Sequence, residues 1–294
     1  MSARTFSSVA AVALALLCTI VLTGALVRLT GSGLGCSDWP NCNSQRFVDV
    51  SSGHAAVEQV NRLFTGCVSV AVIAAVLTAY FRNPRRRDLV LLAWGLVAGV
   101  VAQIVIGAIV VVTGLNPWAN MTHFLVSMAL VTCAFMLERS SRIPSVSRVL
   151  REVPHNVRTI HRLVVGWAFV AIVTGTVVTA TGPHAGAPDV VRFGFRLVSV
   201  ARVHSVSVLV TVVLLVVTMM KLRNASGVCA ASTRQALATM AFVAVIQGSI
   251  GYLQYFTGVP VVLVGLHVAG ATALWLSVCN LLFAPRPDEV VPLT

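Results

Sequence analysis

The chain has 294 residues, 57% of them hydrophobic and 10% charged, with a mean hydropathy of +0.90. That composition excludes an ordinary soluble domain and places the protein in a lipid bilayer. The formal net charge of +12 would suit a nucleic-acid binder, but the basic residues follow a membrane topology instead, and no nucleic-acid partner is expected.

Crossing a hydrocarbon core of about 30 Å takes about 20 apolar residues in a helix, and helices are the form that satisfies such a segment's own backbone. Eight windows meet this requirement: Ser8–Val27, Val57–Phe81, Asp88–Val112, Trp118–Leu137, Leu163–Ala180, Leu197–Met220, Ala236–Phe256 and Val261–Phe283. The first lies close behind Arg4 in the manner of a signal peptide. It lacks a small-residue cleavage site, and an internal repeat pairs it with the fifth window, so it is kept as a span. The loop after it holds Cys36 and Cys42 in GCSDWPNC. On the outer side of a membrane the compartment is oxidising, and a short separation with Pro40 between the thiols suits a small closed loop; two free thiols are the alternative. The second window carries His54, Glu58, Asn61 and Thr65 at helical spacing, one continuous stripe, with Arg62 placed for an i,i+4 pair with Glu58. After the fourth window, the basic segment Glu138–Arg162 contains Pro144 and Pro154 and divides the chain. Residues 1–138 form a first four-helix half, 139–162 a basic cytoplasmic linker, and 163–294 a second four-helix half. Arg4, the cluster at Arg82 and Arg85–Arg87, the linker, Lys221, Arg223, Arg234 and Arg286 together hold 15 of the 21 basic residues on one side. Such a bias marks the cytoplasmic face, and both termini fall there. The fold class expected is an all-α polytopic membrane protein with eight transmembrane helices in two pseudo-symmetric four-helix bundles.

The symmetry is read from an internal repeat. Gln103, Gly107, Thr113, Gly114 and His123 recur as Gln247, Gly251, Thr257, Gly258 and His267, each pair 144 residues apart. The first and fifth helices align at an offset of 151, Thr23-Gly24 with Thr174-Gly175, and the second and sixth at 143, which sets Asn61 opposite His204. In duplicated membrane proteins the functional site lies at or beside the interface of the halves.

His204 and His267 each lie one to two turns inside the outer end of a helix. Two histidines at matched depth in one bundle suit the two faces of a haem iron. The first half has His123 at the same depth, but Asn61 in the partner position. Asn is a poor ligand for haem iron, so one half reads as a complete cofactor site and the other as an incomplete one, which suits a substrate. Glu58 is the acidic residue well inside a span, where an ionisable group is functional by default; the competing reading makes Glu58–Arg62 a purely structural pair. His184, in TGPHAG, lines a cavity or contacts a haem propionate. His54, at the outer interface, reaches the iron only if its helix begins later than expected. His155 and His161 lie on the basic side and read as solvated.

The segments GALVRLTGSGLGCSDWPNC and TGTVVTATGPHAG, with the paired TG…His helices, resemble haem A synthase over nearly the whole chain. The resemblance implies a multi-pass enzyme of the bacterial cell membrane that oxidises the ring-D methyl of haem O to the formyl of haem A, by successive hydroxylations, for terminal oxidases. It also implies a haem b cofactor between His204 and His267, a substrate haem in the first half beside Glu58 as catalytic residue, and a cysteine pair, here Cys36 and Cys42, that occurs in part of the family. Arg62 fits the family pattern. Asn61 departs from it, standing where the family commonly has a histidine, which leaves His123 alone, or His123 with a water, on the substrate iron. Partners implied are haem O, the protohaem farnesyltransferase that makes it (haem O synthase), an electron acceptor and the lipid bilayer. The alternative is a di-haem electron-transfer cytochrome, which predicts two complete ligand pairs and no need for Glu58. A transporter would want helix breaks at mid-membrane, whereas the glycines and prolines cluster at loop boundaries.

Overall fold

The structure, a computed structural model, describes residues 1–142, 155–225 and 228–284. Among them are eight helices and no strand: α1 (Ala3–Leu29), α2 (Gly53–Phe81), α3 (Arg87–Val112), α4 (Pro117–Arg142), α5 (His155–Thr181), α6 (Leu197–Leu222), α7 (Val228–Phe256) and α8 (Val261–Leu282). With 22 to 29 residues each and a rise of about 1.5 Å per residue, all eight are long enough to cross a bilayer, and all are apolar enough to do so. The chain is a multi-pass membrane protein.

Most helices outrun their apolar windows, and at the starts of α1 and α2 a serine caps the extension. Ser2 accepts the Thr5 N–H at 3.1 Å, and Ser52 accepts the Ala55 N–H at 3.1 Å. The helices also extend into the segment expected to be a linker: α4 runs to Arg142 and α5 starts at His155. Pro144, Arg148, Arg151, Pro154 and Arg286 lie outside the described residues.

Consecutive helices form hairpins, and each group of four closes by the same neighbours. α2 packs on α3 and α1 on α4 in the first group, α6 on α7 and α5 on α8 in the second. The groups meet through α1, α4, α5 and α8. Within this seam the Trp275 indole N–H reaches the Met128 carbonyl at 3.0 Å and Thr132 Oγ1 at 2.9 Å, tying α8 to α4.

The apolar core is one-ended. In the first group it is built from Phe6, Leu17, Val72, Leu89, Leu96 and Leu137, in the second from Val164, Leu215, Leu237, Met240, Val278 and Leu281. Most sit towards the end that holds Met1, where the terminal ammonium donates to Phe81 O at 2.9 Å and Arg86 Nη1 donates to Ser140 O at 2.9 Å, while Leu17, Leu215 and Met240 reach mid-bundle and form the cavity floor. Towards the opposite end, the α3–α4 and α7–α8 turns are copies of one another. Gly114 and Leu115 have φ of 61° and 62°, Gly258 and Val259 of 80° and 61°. In both, the second left-handed residue returns its N–H to a carbonyl five residues back, Leu115 to Val110 and Val259 to Gln254, each at 2.8 Å. Glycine supplies the first left-handed residue without strain, and Pro117 and Pro260 lie at the start of the next helix. The repeated Thr-Gly is thus a helix stop that sets His123 and His267 six residues into α4 and α8.

Candidate functional site

At the loop end, where core packing gives out, the helices enclose a cavity of about 1210 Å³ lined from both groups. Ligand pockets commonly run from about 300 to about 1,000 Å³, so this one lies above the usual size. His123, His204, His267, Glu58, Asn61, Arg62 and His184 all line it.

The histidines are held by a duplicated device. Gln103 Nε2 donates to the His123 carbonyl at 3.0 Å and to Ser127 Oγ at 2.6 Å; Gln247 Nε2 donates to the His267 carbonyl at 2.8 Å. Each ring then lies against a glycine on the neighbouring helix. A Cβ on Gly107 would stand 3.5 Å from His123 Cε1, one on Gly251 2.9 Å from His267 Cε1, and one on Gly175 3.2 Å from His204 Cε1. The repeated Gln and Gly are a carbonyl tether and a bare patch of helix that let an imidazole lie flat between two helices.

The rings of His204 and His267 have centroids 6.3 Å apart, at 85° to one another. A metal–imidazole bond is about 2 Å long and a ring nitrogen lies about 1 Å from its centroid, so two imidazoles sharing one ion have centroids about 6 Å apart. The pair fits a bis-histidine haem. His204 Nδ1 is bonded to Thr174 Oγ1 at 3.2 Å, which leaves its other ring nitrogen for a metal, the usual outer arrangement of a ligating histidine. His123 Nδ1 and His267 Nδ1 are buried without a hydrogen-bond partner.

In the first group, Thr23 occupies the place of Thr174 and donates to Asn61 Oδ1 at 2.8 Å. Three residues earlier on α2, Glu58 is only 5% exposed. Its Oε1 accepts from Arg62 Nη2 at 2.6 Å and Nε at 3.1 Å, and its Oε2 accepts the Cys36 N–H at 2.8 Å. Cys36 and Cys42 form a disulfide, buried with Ala55 under the α1–α2 loop. Arg62 also donates to the carbonyls of Asp38, at 3.1 Å from both terminal nitrogens, and of Asn41 at 3.2 Å, so the ion pair clamps the loop that the disulfide closes. Farther along that loop, Asp49 accepts the Ser51 N–H at 2.9 Å and Asn43 Nδ2 at 2.7 Å. Hydrogen bonds from Ser51, with smaller help from Arg46 and Asn43, hold its carboxyl below the usual aspartate range. The loop joins the α5–α6 loop through the Gly33 N–H, which donates to Gly186 O at 3.0 Å.

Two further histidines do not line the cavity. His54 is exposed, does not line the cavity, and pairs through Nδ1 with Ser32 Oγ at 2.9 Å; α2 begins at Gly53, too early to swing this ring inward. His161, expected to be solvated, has Nε2 buried without a partner, because α5 is already under way at this position. His184 faces the cavity, and its Nε2 pairs with the Val259 carbonyl at 2.8 Å. The sequence alone does not show the roles of Thr23, Thr174, Gly107, Gly175 and Gly251. The Thr-Gly pairs of α1 and α5 were visible in the repeat, but nothing in spacing alone shows that they face a ring. Arg28 and Arg202 also line the cavity, with no acidic partner among the described residues.

Eight helices of membrane-spanning length thus surround one cavity, with two facing histidines on its second-half side and a buried carboxylate on its first-half side. The family model described as cytochrome oxidase assembly protein (COX15-CtaA) matches residues 7–56 and 47–279, and the chain belongs to that family. Curated relatives named haem A synthase align over shorter stretches. One from Listeria welshimeri is 37% identical over 112 residues, 37% of this chain and 36% of its own length. Those from Lysinibacillus sphaericus and Geobacillus kaustophilus are 31% and 35% identical over 40% of this chain each, and over 39% and 37% of their own lengths. The aligned stretch thus spans well under half of each relative.

Proposed function

We propose that this chain is a haem A synthase of the bacterial cell membrane, with both termini in the cytoplasm, which oxidises the ring-D methyl of haem O to a formyl group by successive hydroxylations. The observation that carries the reading is the asymmetry of a duplicated site: His204 and His267 face each other in one half of the cavity, while the other half lines it with His123, with Asn61 at the position equivalent to His204, and with a buried Glu58. A plain di-haem cytochrome gives no reason for that carboxylate.

In this reading residues 163–294 hold haem b between His204 and His267, residues 1–138 hold haem O by His123, and residues 139–162 connect the two. The haem b supplies electron transfer. Glu58 faces the substrate methyl, and oxidising a ring-conjugated methyl builds positive charge on its carbon. A fixed carboxylate stabilises such charge most where water is scarce, and serves as base for an attacking water or traps the cation covalently. Arg62 and the Cys36 N–H keep the carboxylate in one orientation, so Glu58 does not have to be ordered during reaction. Arg28 and Arg202 offer cationic partners for propionates. The electrons leave to an acceptor, and the farnesyltransferase that makes haem O is the partner that would supply the substrate.

The test is Glu58→Gln in the full-length membrane protein, measuring haem A formed from haem O together with the absorption spectrum of the bound haem. Loss of haem A formation with an unchanged bis-histidine spectrum supports the assignment. Formation at the parental rate reduces Glu58 to a structural partner of Arg62.

A further inference from the structure

The four positions equivalent to a haem ligand form a set of three and one. His123, His204 and His267 each press on a glycine of the neighbouring helix, with a built Cβ 2.9 to 3.5 Å from the ring. The fourth glycine, Gly24, is the counterpart of Gly175, yet a Cβ there meets nothing within 4 Å. The counterpart of His204 is Asn61, and Gly24 and Asn61 both line the cavity. The threonine that bonds His204 in the second half is present here too: Thr23 donates to Asn61 Oδ1 at 2.8 Å, and Asn61 Nδ2 has no partner among the described residues. The helix thus keeps the open cradle of a ligating histidine and presents to it a short side chain whose amide is fixed by its oxygen, with two N–H donors left over.

We propose that Gly24, Thr23 and Asn61 form a binding pocket for a small exogenous ligand of the first-half iron that His123 would hold, with Asn61 Nδ2 as hydrogen-bond donor to that ligand. The class of ligand is a small oxygen or nitrogen donor with a spare lone pair, such as water or azide. The proposal rests on the two-haem reading above. A histidine at position 61 would fill the cradle and close it, whereas a carboxamide leaves a space bounded by bare helix. The donor distinguishes this pocket from a merely empty one: it favours ligands that accept a hydrogen bond over those that accept weakly, such as carbon monoxide.

The experiment uses the full-length protein in detergent, titrated with haem and followed by absorption and electron paramagnetic resonance, with azide added to the oxidised and carbon monoxide to the reduced protein. The expected parental protein holds two haems, one low-spin and one high-spin, and the high-spin haem binds both probes. Asn61→Leu keeps the branched outline at Cγ and removes the donor, so azide affinity falls about tenfold, the worth of one hydrogen bond to a charged group, while carbon monoxide binding is little changed. Gly24→Val fills the space, and both probes are excluded. Asn61→His makes both haems low-spin and closes the site to both probes. A second haem already low-spin in the parental protein, or equal azide affinity in parental and Asn61→Leu proteins, overturns the pocket while leaving the two-haem reading intact. A single haem per chain at saturating haem overturns both.

Discussion

At the scale of single residues, the chemistry proposed for Glu58 has to be separated from its structural duties, because one carboxylate holds both Arg62 and the Cys36 N–H. Glu58→Gln keeps the shape and most of the hydrogen bonding but removes the charge. Haem A formation is expected to fall by at least ~10²-fold, the scale of one general acid–base group, with the loop still closed. His204→Ala and His267→Ala are each expected to abolish the low-spin bis-histidine spectrum of the second half. An unchanged low-spin signal in both variants would remove the haem b assignment. The two halves answer to different variants, so spectrum and turnover are read independently.

At the scale of elements, the cradle glycines make a sign test. Glycine inside a helix costs up to about 1 kcal/mol relative to alanine, so Gly24→Ala, which meets nothing within 4 Å, is expected to raise the thermal midpoint slightly and leave the low-spin bands of the second half alone. Gly251→Ala gains the same helix propensity but sets a methyl 2.9 Å from His267 Cε1, and is expected to broaden or lose the low-spin bands. Equal spectra in the two variants would mean that the rings do not need the glycines. The disulfide offers a second element-scale prediction. Closing so short a loop contributes on the order of 2 kcal/mol of chain entropy, and here it also holds the N–H that Glu58 accepts. Replacing Cys36 and Cys42 by Ser is expected to lower haem A formation while sparing the haem b spectrum, and non-reducing peptide mapping of the parental protein should recover the two cysteines as a linked pair.

Much of this was legible in the sequence, and the reason differs from element to element. The eight spans follow from hydropathy, because lipid leaves the backbone no other form. The helix stops follow from the spacing of Thr-Gly, because a left-handed terminus needs glycine. The Cys36–Cys42 link follows from local proximity. What escaped were contacts that depend on the path of a loop: nothing in GCSDWPNC says that the Cys36 N–H lands on Glu58, or that Arg62 gathers the carbonyls of Asp38 and Asn41. Nor does the spacing of His54 reveal that Ser32 turns it away from the cavity.

For the whole molecule, the feature with the widest reach is the one-ended core. Side chains from Phe6 to Leu137 and from Val164 to Leu281 close the end near Met1, while the loop end is held by helix stops, a disulfide and polar ties around a cavity of about 1210 Å³. Trp275 locks the two halves together beside the second core, and Trp275→Phe is expected to loosen the seam by about 1 kcal/mol, one hydrogen bond's net worth, seen as a lower thermal midpoint. Thermodynamic linkage follows from this division. A ligand stabilises only what it binds, in proportion to its affinity and free concentration, and local opening is cheapest where buried apolar contacts are fewest. Haem loading should therefore slow amide hydrogen exchange in the loop-end turns of α2, α4, α6 and α8 and leave exchange near Leu89, Leu137, Leu237 and Leu281 unchanged. The protein would then carry its own scaffold at one end and borrow the stability of the other from the pigments it handles.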